Sequence, residues 1–336
     1  MVAINSHVVA IIGGSGFIGT RLSQRLQNAE TVEFSIIDKV QSAAFPEKVS
    51  IADVRSVDAL RVAIPGESSI VNLAAEHRDD VRPLTLYDEV NVQGAQNICT
   101  VAREKNVKTI AFTSTVAVYG FAPIGTDETG SIAPFNEYGR TKYEAELVFK
   151  AWQAEDPSIR TLVIVRPTVA FGERNRGNVF NLLRQIASGR FVMVGDGTNR
   201  KSMAYVENVA AFIEYALTFK PGVHIYNYVD KPDFTMNALV GTVNRMLSKS
   251  EAIGFRLPYS IGFLIGKAFD MVAGITGKRF TISSIRVKKF CANSVYNTAL
   301  EKSGFVPPVP LTEALERTVR HEFLESHEQE GLFFTE

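Results

Sequence analysis

The chain runs Val8-Val9-Ala10-Ile11-Ile12 straight into Gly13-Gly14-Ser15-Gly16-Phe17-Ile18-Gly19, and no other stretch constrains the fold as strongly. Five consecutive apolar residues suit a strand buried on both faces. Gly14 to Gly19 satisfy G-x-G-x-x-G, and Gly13, Gly16 and Gly19 also satisfy the looser G-x-x-G-x-x-G. Glycine is needed here for space: the turn takes positive φ, the backbone must approach a pyrophosphate, and the next helix packs close to the strand. That helix, from about Gly16, offers its first N–H groups to phosphates. A second strand, Val32 to Ile37, ends at Asp38, where the dinucleotide pattern places an acid. A carboxylate there accepts both hydroxyls of an adenine ribose and repels a 2′-phosphate, so the expected cofactor is NAD rather than NADP. Glycines alone would fit an ordinary tight turn. Strand, glycines, helix, strand and acid in this order indicate a dinucleotide site.

The rest of the first half keeps the same rhythm. Strands are expected at Lys48–Ile51, Ser69–Leu73, Lys108–Thr113 and Thr161–Val165. Helices are expected from a Ser56 cap through Val62, over Tyr87–Lys105, and over Glu137–Ala154. This alternation predicts an α/β fold: a doubly wound parallel sheet, Rossmann-type, with helices on both faces. Beyond about Arg174 the rhythm loosens, with helical patterns at Val179–Ala187, Val206–Leu217, Thr235–Leu247 and Leu311–Leu324 and a Gly195-Asp196-Gly197 turn. The expected division is a dinucleotide domain over 1–175, with 204–230 returning to it, and a smaller mixed lobe over 176–336.

Charge and composition exclude several classes. With 36 basic and 36 acidic residues and no basic block standing out, nucleic acid is not an expected partner. Two cysteines, Cys99 and Cys291, are too few for a disulfide framework and fit a reducing cytoplasm. No cluster suggests a metal, and no signal peptide is read at the N-terminus. Leu257–Gly274 is apolar, but Lys267 and Asp270 interrupt it, and its uncharged run falls short of the roughly 20 residues a membrane span needs. A buried or groove-covering helix is expected there, with a helix lying in the membrane interface as the alternative.

The candidate chemistry lies in the middle. Tyr138 and Lys142 stand at i and i+4, on one helix face. A phenol normally holds its proton to about pH 10. A lysine cation and a positively charged nicotinamide would favour the phenolate, letting Tyr138 exchange a proton with a substrate hydroxyl while the ring handles hydride. The strand ending Thr113-Ser114-Thr115 comes just before, and ligands bind at the C-terminal strand edges of such sheets. Those hydroxyls can reach the same reacting oxygen. Local backbone capping accounts for Thr113 and also suits Ser114.

Taken together, Gly13-x-x-Gly16-x-x-Gly19, Asp38, Asp53-Val54, Asn72-Leu73-Ala74-Ala75, Thr115-x-x-Val118-Tyr119-Gly120, Tyr138-x-x-x-Lys142 and Arg166-Pro167-x-x-x-Phe171-Gly172 resemble the extended short-chain dehydrogenase/reductase family. Within it the chain is similar to the NAD-dependent nucleotide-sugar epimerase/dehydratase group. The resemblance implies catalysis by Thr115, Tyr138 and Lys142. It implies NAD held by Gly13, Gly16, Phe17, Ile18, Gly19, Asp38, Lys39, Asp53, Val54, Leu73, Ala74, Ala75, Asn91 and Pro167, together with Tyr138 and Lys142. It implies a nucleotide-sugar substrate, most naturally a UDP-sugar, met by Glu76, His77, Thr115, Asn178, Lys201 and Arg286. At the diphosphate the family usually has arginine where this chain has Lys201, so either Lys201 or the adjacent Arg200 is the contact. Homodimers pairing the helices around Val90–Lys105 and Glu137–Ala154 are common in the family and are expected here.

Three activities fit the resemblance: a nucleotide-sugar 4-epimerase, a 4-keto-sugar or sterol-type dehydrogenase, and a non-catalytic NAD sensor. The intact Thr115, Tyr138 and Lys142 argue against the sensor, and the epimerase is preferred. Family members that remove water across C5 and C6 carry Asp-Glu directly after the catalytic threonine. Val116 and Ala117 stand there and cannot transfer protons, so no 4,6-dehydratase activity is expected.

Overall fold

The computed structural model describes residues 8–30, 32–78, 81–276, 283–327 and 331–335. Strands β1 (Val8–Ile12), β2 (Glu33–Asp38), β3 (Val49–Ile51), β4 (Ser69–Asn72), β5 (Thr109–Thr113) and β6 (Thr161–Pro167) come first. They alternate with α1 (Phe17–Ala29), α2 (Val57–Ala63), the one-turn α3 (Thr85–Tyr87), α4 (Gly94–Glu104) and α5 (Glu137–Ala154). Between α3 and α4 the chain widens into a π-helical segment, Asp88–Gln93, so the long helix expected there is not uniform. The second half adds β7 (Val169–Phe171), α6 (Asn178–Ala187), β8 (Met193–Val194), β9 (Arg200–Tyr205), α7 (Val206–Ala216), β10 (Gly222–Tyr228), β11 (Asp230–Thr235) and α8 (Met236–Met246). Last come β12 (Arg256–Leu257), α9 (Tyr259–Thr276), α10 (Ser284–Cys291) and α11 (Leu311–Phe323).

The main sheet has seven strands in the order β10-β6-β5-β4-β1-β2-β3, every pair parallel. Strands β1 and β6 read as near-continuous apolar runs because both faces are covered. Ala10, Ile12, Ile70, Ile110, Phe112 and Ile164 point into one core, with Leu60, Ile98, Phe149 and Trp152 from α2, α4 and α5. Their neighbours Val9, Ile11, Val71, Ala111 and Val163 point into the other, with Leu22 and Leu26 of α1 and Val209 and Phe212 of α7. The period of two in side-chain direction thus splits one hydrophobic string into two cores. The winding reverses between β1 and β4, which opens a crevice at the C-terminal strand ends.

A second, three-stranded sheet, β11-β9-β7, lies in the smaller lobe. Its core gathers Leu183, Met203, Tyr205, Leu239, Val240 and Leu315, and Phe17 at the start of α1 packs into it. After β9 the chain goes back: α7 packs on α1 and β10 pairs with β6.

The stretch Leu257–Gly274 differs from expectation. It forms α9, but a helix whose aliphatic face is exposed, not buried. The inward positions are small: a Cβ on Gly262 would lie 2.7 Å from Val194 Cγ1, and one on Gly266 would lie 2.7 Å from the backbone of Ser284. Glycines let α9 approach β8 and α10 closely while its large side chains face away. Among the described residues no helix is long and apolar enough to cross a membrane.

Candidate active site

The glycine turn between β1 and α1 is drawn tight. Gly13 has φ +77°, and a Cβ there would lie 2.6 Å from Ala74 N. A Cβ on Gly19 would lie 2.5 Å from Gly14 Cα, so α1 can rest on the turn only with glycine at that position. Gly16 caps α1 without a side chain, and no acidic residue occupies the first turn. The helix therefore presents uncapped N–H groups and its positive end, as an anion requires. Asp38, at the end of β2, reaches across: its carboxylate accepts from Ser15 N at 3.0 Å and Val40 N at 3.2 Å. Beside it Asp53 pairs with Arg55 at 2.8 Å, which holds the Asp53 carboxyl below its ordinary range.

Helix α5 positions the reacting groups. Asn136 caps it, accepting from Gly139 N at 2.9 Å, and this sets the register that puts Tyr138 in the first turn. Tyr138 shares a side-chain hydrogen bond with Thr115, whose Oγ1 also accepts from Ala117 N at 3.1 Å. Burial pushes the Tyr138 phenol up to about 12, and Thr115 only partly opposes this. One turn on, Lys142 is buried with its Nζ 4.2 Å from the centroid of the Phe112 ring. Burial pushes it down to about 7, and Glu146 opposes. The protein's own groups therefore keep Tyr138 protonated at neutral pH. The phenolate expected from a neighbouring lysine does not arise from Lys142 alone, because burial outweighs it.

Behind the trio lies a buried polar network. Glu146 accepts from Ser114 Oγ at 2.6 Å and from Arg166 at 2.6 and 2.8 Å. Arg166 also donates to Tyr119 Oη at 2.6 Å, which donates to Asn227 Oδ1 at 2.8 Å. Ser114 is thus held by a carboxylate, not by a backbone cap. Thr113 is not capping either: its hydroxyl is buried without a hydrogen-bond partner among the described residues, on the cleft wall. Sequence reading passed over Glu146, although Tyr138, Lys142 and Glu146 share one helix face in steps of four.

The sequence-selected residues, apart from Asn91, line one cleft of about 1900 Å³ running from the glycine turn, past Tyr138, to the second lobe. Asn91 stands behind the wall. It donates to Glu76 O at 3.0 Å and Thr141 Oγ1 at 2.9 Å, and accepts from Glu76 N at 2.8 Å, so it holds the loop carrying Glu76 and His77 against α5. On the far wall stand Asn178, Lys201 and Arg286. Lys201 Nζ donates to the carbonyls of Lys289 at 2.9 Å and Ala292 at 2.7 Å, tying down the end of α10. Arg200 is exposed and is not among the lining residues. Ser15, Phe121, Phe135 and Tyr296, none of them anticipated, are among the other lining residues.

A family model described as the NAD dependent epimerase/dehydratase family matches residues 9–228. The chain belongs to that family. It is 49% identical over 332 residues to the N-acetyl-alpha-D-glucosaminyl-diphospho-ditrans,octacis-undecaprenol 4-epimerase of Escherichia coli O157:H7, covering 98% of this chain and 99% of that protein. It is 27% identical to a UDP-glucose 4-epimerase of Vibrio cholerae, over 93% of this chain and 94% of that one. The UDP-N-acetylglucosamine 4-epimerase from Methanobrevibacter ruminantium M1, solved with UDP-N-acetylmuramic acid, matches with a TM-score of 0.73 at 20% identity, over 95% of this chain and 98% of that chain. The UDP-glucose 4-epimerase of Thermus thermophilus, solved with NAD, matches with a TM-score of 0.70 at 21% identity, over 94% of this chain and 98% of that chain. These two structures share the fold.

As an NAD-dependent epimerase, the protein has a cleft whose parts fit the cofactor. The glycine turn and uncapped α1 suit the pyrophosphate, and Asp38 suits the adenine ribose. Bound NAD supplies the acceptor and donor of hydride. The chain supplies the proton chemistry. Tyr138 and Thr115, joined by a side-chain hydrogen bond on the cleft wall, offer a phenol and a hydroxyl of the kind that exchange a proton with a substrate oxygen. Lys142, one turn further along α5, also lines the cleft.

Proposed function

We propose that the protein inverts C4 of an N-acetylhexosamine carried on a diphosphate, and that the carrier is a polyprenol. The observation that carries this reading is the 49% identity over nearly the whole chain to an epimerase named for an undecaprenol-linked substrate, against 27% for the UDP-glucose 4-epimerase. UDP-sugar and polyprenyl-diphosphate sugar share the sugar and the diphosphate, so Asn178, Lys201 and Arg286 suit either. We propose Glu76 and His77, on the loop after β4, as contacts to the sugar. We further propose a cytoplasmic homodimer through α4 and α5.

The deciding experiment offers purified protein, without added cofactor, undecaprenyl-diphosphate-N-acetylglucosamine in detergent and UDP-N-acetylglucosamine in parallel. The lipid-linked sugar should equilibrate with its 4-epimer, with UDP-N-acetylglucosamine turned over far more slowly. Comparable or faster turnover of the UDP-sugar overturns the carrier assignment. No 4-keto-6-deoxy sugar should form from UDP-glucose, since Val116 and Ala117 carry no transferable proton.

A further inference from the structure

Helix α9 is amphipathic in the reverse of the usual sense. Ile261, Leu264 with Ile265, Ala268, Met271 with Val272, and Ile275 recur in steps of three and four, which places them on one face. That face is exposed: Leu264 is 66% accessible, Met271 68% and Ile275 79%. The opposite face is fastened to the protein by Gly262, Gly266 and Asp270, whose carboxylate accepts from Ser284 Oγ at 2.5 Å. A continuous aliphatic stripe on a helix that no other described residue covers marks an interaction surface.

Two further observations say what covers it. The whole chain is charge-balanced, yet the stretch from Phe255 to Cys291 carries seven Lys and Arg against one acidic residue, Asp270. Of these, Lys267 is exposed on α9, and Arg286 and Lys288 are exposed on α10, the helix packed along α9, where Ile285 is also exposed. A second copy meeting this face about a two-fold axis would bring like charges together. An anionic headgroup layer would not. The surface also adjoins the catalytic cleft, because α10 packs along α9 and contributes Arg286, Lys289 and Phe290 to the cleft wall.

We propose that α9 and α10 dock the enzyme on an anionic phospholipid surface, with the aliphatic face of α9 seated among the acyl chains and the basic rim at the headgroups. This brings the second-lobe end of the cleft to the membrane interface, where the diphosphate of a membrane-anchored substrate lies. The purpose rests on the polyprenyl reading above; the binding itself does not.

The test is co-sedimentation of the full-length protein with vesicles of phosphatidylethanolamine and phosphatidylglycerol, and with vesicles of phosphatidylcholine, no substrate present. Wild type should bind the anionic vesicles at least about tenfold more tightly, and raising salt to about 0.5 M should weaken that binding. Leu264→Glu combined with Met271→Glu should reduce it by about tenfold or more through the loss of exposed apolar contact. Both residues are exposed, so retained NAD and an unchanged melting temperature establish that the variant is folded. Val62→Glu, at a still more exposed apolar residue on α2, should bind as wild type. Failure of wild type to bind vesicles, or equal binding by the double variant, overturns the proposal. So does a dimer that the double variant splits, which would assign the face to a second copy. Vesicle binding without turnover of a polyprenyl-diphosphate sugar would leave this inference standing and remove the substrate reading.

Discussion

At the scale of single residues, we propose that Tyr138 carries the substrate proton in both directions. Tyr138→Phe keeps the ring and removes the carrier, so turnover should fall by about 10²–10⁴-fold, the range for a lost general acid–base group, while NAD remains bound. Asp38 uses its carboxylate on two N–H groups at the rim of the cofactor cleft. Asp38→Ala should narrow the preference for NAD over NADP in measured affinities, and an unchanged ratio would assign the selectivity elsewhere. Glu146 is different: it lies outside the cleft lining, buried with Arg166 as an ion-pair partner. Glu146→Ala strands that guanidinium, and urea unfolding should register a loss of roughly 3–5 kcal/mol.

At the scale of elements, α5 is the working part. Its cap at Asn136, the phenol of Tyr138, the buried amine of Lys142 and the buried carboxylate of Glu146 sit on one rigid helix. Asn136→Ala should cost about 1 kcal/mol as a lost N-cap, and turnover should fall further than that loss alone explains, because Tyr138 lies two residues on. The buried lysine also gives the protein a pH signature. An unfolded lysine binds its proton up to about 10.4, whereas Lys142 in the fold lets go at about 7, and Lys201 at about 8. Between pH 7 and 9 the unfolded chain therefore binds more protons, and the stability of NAD-free protein should rise with pH. Lys142→Met should flatten that slope in melts run across the window. Above pH 9 the Cys99 thiol, pushed up to about 12 by burial, works in the opposite direction.

At the scale of the whole molecule, the two lobes are not strung in sequence. The chain leaves the main sheet after β6, builds most of the small sheet, returns as α7 and β10, and leaves again. The cleft between them therefore has walls contributed from residue 12 to residue 335, which suits an enzyme that must enclose both cofactor and sugar diphosphate. Sedimentation velocity at micromolar concentration should show a dimer through α4 and α5. A monomer would remove that proposal without touching the catalytic assignment.

What the sequence determined by itself was everything governed by local spacing. The strand, the glycines and Asp38 announce a dinucleotide turn because backbone clearance and a ribose-binding carboxylate impose fixed intervals along the chain. Continuous apolar strands announce a doubly covered parallel sheet because both faces must be dry. Tyr138 and Lys142 announce themselves because four residues make about one helical turn. What only the tertiary structure decided was set by long-range contact. Ser114 and Arg166 meet on Glu146 across 32 and 20 residues. The bonds by which Asn91 braces the loop carrying Glu76 and His77 also span distant parts of the chain. Lys201, not Arg200, faces the cleft. The apolar run that became α9 reads the same whether its helix is buried or exposed, because hydropathy records how greasy a face is and not which way it points. The small inward residues Gly262 and Gly266, meeting β8 and α10 at van der Waals distance, turned that face outward.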